Sequence, residues 1–80
     1  MAEAREADQI AKDYSAMGDS VSVITDVIAG NAMADEETAE KKACVARNVE
    51  HLELMVAKSD WGSESMTASK SAITAGKAYA

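Results

Sequence analysis

Cys44 and His51 are the only cysteine and the only histidine in the chain, so soft-ligand or nucleophile chemistry has to begin with them. They stand seven residues apart. On a helix that spacing puts them on one side but roughly 10 Å apart along the axis. That is too far to share a metal ion, and it keeps a thiol and an imidazole of one subunit out of hydrogen-bond reach. A metal shared between subunits finds no further ligand in the sequence to support it. Thr67-Ala68-Ser69-Lys70 has the outline of a Ser-x-x-Lys element, but threonine occupies the nucleophile position and no supporting motif accompanies it. The acidic residues fall on positions flanking the apolar seams, where carboxylates serve solubility and helix capping rather than paired acid–base work. No glycine-rich phosphate loop is present. The expectation is therefore no catalytic residue, no cofactor and no metal ligand, in a protein that is not an enzyme.

The elements that would position any function are helices. Ile10, Tyr14, Met17, Val21, Ile24 and Ile28 are spaced 4, 3, 4, 3, 4, the repeat that keeps apolar side chains on one side of an α-helix. This predicts a first helix from about Glu3 to Ala29, ended by Gly30-Asn31, because glycine and asparagine best tolerate the left-handed conformation after a helix. Gly18 lies beside the seam, where it costs about 1 kcal/mol relative to alanine and admits a close backbone approach. The rival reading breaks the helix at Met17-Gly18 and restarts it with Asp19 or Ser20 as cap.

A second helix, about residues 36–57, is expected with Asp35 as N-cap and with Glu36, Glu37 and Glu40 at the positive end of its dipole. Its seam is Val45, Val49, Leu52 and Val56, again spaced 4, 3, 4. Lys58 closes it. Thr67 then reads as the cap of a shorter third helix, about 68–78, whose face is Ala68, Ala72, Ala75 and Tyr79 with Met66 and Ile73 alongside. The absence of proline removes the strongest helix breaker. The fold class expected is all-α: a long antiparallel helical hairpin with a short third helix packed on its side.

Leu54 sits on the side of the second helix away from its seam, to be covered either by the third helix or by a partner. Trp61, the only tryptophan, lies in a polar connection, either as a plug for the open end of the bundle or as an interface anchor. With 80 residues, no phenylalanine and much of the apolar content supplied by alanine, the core is modest. Part of Val23, Val27, Leu54 or Trp61 is expected to stay exposed as a candidate partner interface, completed by homo-oligomerisation or by docking onto a larger assembly.

Charge is unevenly spread. Residues 1–40 hold ten acids against two bases, and residues 41–80 hold four acids against six bases, within a net charge of −6. An acidic first helix, with Asp8, Asp13 and Asp19 as its candidate acidic surface, suits attraction within or between subunits or imitation of nucleic-acid charge. Direct nucleic-acid binding would want a concentrated basic face, and none is present. The first residues lack the basic and apolar regions of a secretion signal. The most apolar stretch, Val21 to Ala34, is too short and too polar to span a bilayer. One free thiol fits a reducing interior or a virion assembled there.

The stretch Arg47-Asn48-Val49-Glu50-His51-Leu52, then Met55, Lys58 and Trp61, followed by Met66-Thr67 and Ala72-Ile73-Thr74-Ala75-Gly76-Lys77-Ala78-Tyr79, is similar to small uncharacterised proteins encoded by tailed bacteriophages. The resemblance covers roughly residues 33–79, leaves the first helix unmatched and transfers no activity to any residue. It implies a phage setting, in the virion or the host cytoplasm. Two functions are thereby expected: a structural or interaction protein, such as a virion accessory or decoration subunit, or an acidic inhibitor that blocks a host nucleic-acid-binding enzyme.

Overall fold

The computed structural model describes residues 5–80 and resolves three helices: α1 (Ala7–Ala29), α2 (Thr38–Val56) and α3 (Thr67–Tyr79). Among the described residues there is no strand. α1 runs unbroken through Gly18, which faces outward with nothing within 4 Å of where a Cβ would stand. The close backbone approach expected at Gly18 is therefore absent. α1 begins at Ala7 because Glu6 is extended (φ −62°, ψ 152°), drawn out of the helix where Arg5 is tied to Asp60. Glu3, the expected first helical residue, lies outside the described residues. At the other end Gly30 takes the left-handed conformation (φ 81°). Its N–H bonds Val27 O, and the Asn31 N–H bonds Asp26 O at 2.8 Å. This double closure satisfies carbonyls that a helix end leaves free.

α2 starts at Thr38 with Glu37 at the cap position, and no side chain caps it. The expected cap, Asp35, is displaced because Met33 turns the chain with φ 56° and the Glu36 N–H closes back on Met33 O. That turn uses up the residues that would have formed an earlier first turn. Thr67 is the first residue of α3 rather than its cap, and Ser65 Oγ accepts the Thr67 N–H at 3.3 Å.

The core is Met17, Ile24, Val27, Val45, Val49, Leu52, Trp61 and Ala72, with Ser20 and Ser69 buried among them. Of the expected seam of α1, Met17 and Ile24 are buried and Ile10, Tyr14 and Val21 half-buried, while Ile28 is exposed. The buried meridian runs through Met17, Ser20, Ile24 and Val27 instead, rotated by about one-sixth of a turn. Rotation follows from α1 packing against both α2 and α3, which centres burial between them. In α2, Val45, Val49 and Leu52 are buried and Val56 half-buried; the neighbouring stripe of Cys44, Asn48, His51 and Met55 is half-buried too.

α3 turns inward a face rotated from the one its alanines mark: Ala72 is buried and Tyr79, Met66 and Ile73 are half-buried against the core as expected, but the rest of that face is not. Ala68 and Ala75 are exposed, and Ser69, Ala72 and Gly76 are buried. Gly76 explains this. A Cβ there would collide with Val49 Cγ2 and stand 3.2 Å from Val45 Cγ1 and 3.6 Å from Ile24 Cγ2. α3 thus lies against both other helices at the one position that offers no side chain. No helix among the described residues is long and apolar enough to cross a membrane.

Candidate functional site

Arg5 is the hub of one end of the bundle. Its backbone N–H and its Nε both donate to Asp60 Oδ2, at 3.0 and 3.1 Å, and its Nη2 pairs with Asp60 Oδ1. Nη1 donates to Asp13 Oδ2 at 2.7 Å, and the other Asp13 oxygen accepts the Gln9 amide at 2.8 Å. The guanidinium carbon lies 4.2 Å from the Trp61 ring centroid, within range of a cation–π contact. Beneath it, the Tyr14 and Trp61 centroids are 6.0 Å apart with the rings tilted by 59°, a favoured aromatic geometry. Trp61 Nε1–H donates to Met55 O and Tyr14 O–H to Ser65 O, each at 2.8 Å. Gly62, at φ 66°, makes the turn that follows Trp61 without strain.

Hydrogen bonds from Arg5 hold the Asp60 carboxyl well below the usual carboxylate range. Arg5 first, then Gln9, lower Asp13 as well. Both acids in return raise the Arg5 guanidinium above its ordinary value, Asp60 most. Carboxylates held this firmly ionised are poor proton donors, and each guanidinium nitrogen donates to one of them. Chemically this assembly is a clamp that ties the start of α1 to the segment after α2.

Ser20 and His51 form the second polar pairing, with Oγ and Nδ1 2.7 Å apart between α1 and α2. A hydroxyl bonded to an imidazole is the beginning of a nucleophile. Ser20, however, is only 6% exposed, and the bond to the half-buried His51 lies between α1 and α2. The pairing serves the fold by satisfying a buried hydroxyl; no buried side-chain nitrogen or oxygen among the described residues lacks a partner. Cys44 is half-buried, and the Asn48 amide donates to its carbonyl at 2.9 Å and stands 3.8 Å from Sγ. Among the described residues no group of three or more His, Cys, Asp or Glu could hold a metal ion.

The candidate partner residues divide. Leu54 is 64% exposed, so α3 does not cover it. Val23 is half-buried. Val27 and Trp61 are buried at 3% and 6%, which removes them from the candidate partner interface: Val27 lies on the rotated core meridian of α1, and Trp61, roofed by Arg5 and packed on Tyr14, agrees with the plug rather than the interface reading. Of the acidic surface, Asp8 and Asp19 are exposed, whereas Asp13 is bound by Arg5 and removed from it.

No protein-family model, curated protein or solved structure matches the chain. Its function therefore has to be argued from its own residues. Sequence reading missed Ser20, Arg5 and Asp60. Ser20 falls three residues after Met17 and four before Ile24, one position off the expected seam at Val21, so the apolar spacing did not select it. Arg5 and Asp60 carried no signal, being 55 residues apart.

Proposed function

We propose that this chain is a non-enzymatic helical structural or interaction protein, a virion accessory or decoration subunit that acts by presenting its outer helical faces. The observation that carries this reading is Leu54, which stands 64% exposed on α2 while the polar groups capable of chemistry are spent on the fold: Ser20 on His51, and Arg5 on Asp13 and Asp60. Covering Leu54 with a partner surface would return the hydrophobic free energy that its exposure forgoes. The phage setting rests on the resemblance of residues 33–79.

Arg5 meeting Asp60, and Ser20 meeting His51, support α1 and α2 as an antiparallel hairpin with α3 along its side. The outer faces of that hairpin are open to copies of the chain or to a larger assembly. Mass spectrometry of purified particles tests the reading: the chain is expected at stoichiometric copy number, and its complete absence from particles contradicts it. Leu54→Asp is expected to reduce incorporation without unfolding the chain, since the side chain makes little contact within it.

A further inference from the structure

The outer face of α1 is unlike an ordinary solvent-facing helix surface. Ala11, Ser15, Gly18, Ser22, Thr25 and Ala29 are all exposed and spaced 4, 3, 4, 3, 4, so they form a second seam opposite the core. Exposed helix faces normally carry long charged side chains that hold other helices away. Here the outermost positions are small and uncharged, and another helix can approach to about 8 Å between axes. Lys12, Asp19 and Asp26 line one edge of this seam at seven-residue intervals, all exposed, so the edge is basic near the start of α1 and acidic over its second half, at Asp19 and Asp26.

The outer face of α3 has the complementary form. Thr67, Ser71, Thr74 and Ala78 are exposed at 4, 3, 4 spacing, with Lys70 and Lys77 exposed along one edge, also seven residues apart. Residues 67–79 contain no acid. Seven residues of helix span about 10.5 Å, so the two aspartates and the two lysines share one spacing. α3 is 13 residues long, about 20 Å, and fits within the roughly 27 Å of the α1 seam.

Among the described residues neither Asp19 nor Asp26 makes an ion pair. The last turn of α1 contains no base although Asp26 lies near the negative end of the helix dipole, where cations are favoured and acids disfavoured. Lys77 does pair with Glu53 at 2.9 Å, but with side chains 60% and 46% exposed that bond is weak and exchangeable.

We infer that a second copy of this chain docks its α3 on the outer face of α1, small-residue seam against small-residue seam, with Lys70 and Lys77 set against Asp19 and Asp26. The inference rests on the self-association reading above and adds the faces and their register.

Sedimentation velocity on charge-reversed variants tests it. D19K/D26K makes the α1 edge basic, and K70E/K77E makes the α3 edge acidic. Each alone sets like charges together and is expected to weaken association by about tenfold or more. A 1:1 mixture restores complementary faces and is expected to associate as the wild type does, although both variants remain net acidic and would otherwise repel. Circular dichroism confirms that both fold, as the four positions are exposed. Variants that associate as the wild type does, or a mixture that stays monomeric, overturn the docking mode. If association persists in both variants but is lost in Leu54→Asp, self-association stands through another face and this inference falls alone. A wild-type chain that is monomeric at every concentration removes both.

Discussion

Around the middle of α1 and α2 the chain fills space: Met17, Ile24, Val45 and Leu52 are all less than 2% exposed. Where α3 joins that pair the chain instead removes side chains, with Ser69, Ala72 and Gly76 at the contact. The first region excludes water by area buried. The second relies on short distance, because dispersion attraction fades within an ångström of a gap. The difference shows how a chain without phenylalanine closes a bundle: scarce large residues are concentrated in one layer, and the third helix is brought close enough to need few of its own.

Opposite substitutions should therefore damage the two regions. Leu52→Ala, which empties the large-residue layer, is expected to cost about 2–5 kcal/mol in urea denaturation, the largest effect and a large share of the stability of so small a domain. Gly76→Val, which enlarges the small-residue contact, is expected to cost about 1–3 kcal/mol as Val49 is displaced. Hydrogen exchange should quicken in α3 before α1 and α2. Were Gly76→Val neutral, the close approach of α3 would be refuted.

The helices themselves were legible in the sequence. Absence of proline, the 4-3 spacing and the Gly30-Asn31 stop all act locally, within one or two turns. The rotation of α1 was not legible, because its buried meridian includes Ser20 and continues to the half-buried Asp13, both of which a ranking by hydrophobicity places in solvent. Their burial depends on Arg5 and on His51, the latter 31 residues away, and periodicity carries no information about such partners. Likewise the alanines of α3 pointed to Ala68 and Ala75, whereas the absent side chain of Gly76 sets the contact. Leu54 lies off the seam of α2, but whether α3 covers it depends on where α3 docks, which periodicity does not carry.

Two smaller effects sharpen the contrast between packing and polar pairing. Ser20→Ala removes the bond to His51 and is expected to cost about 1 kcal/mol by thermal denaturation, less than either packing change. The Arg5 clamp should respond to acid. Asp13 and Asp60 are held below the ordinary carboxylate range, so their contribution is complete above the unfolded value of about 4 and is lost as pH falls through the lower folded values. Trp61 emission, which reports the stacked guanidinium, is expected to change in that acid window in the wild type. Arg5→Ala should shift emission already at neutral pH and flatten the acid response.

We propose that the outer faces of this bundle are covered by further copies of the chain. Sedimentation equilibrium of the wild-type chain over a concentration series, at low and high salt, tests that most directly. The weight-average mass should rise above the 8.4 kDa of one chain with concentration and fall back as salt screens the facing charges. A mass fixed at that of one chain throughout, with helicity intact, would contradict self-association.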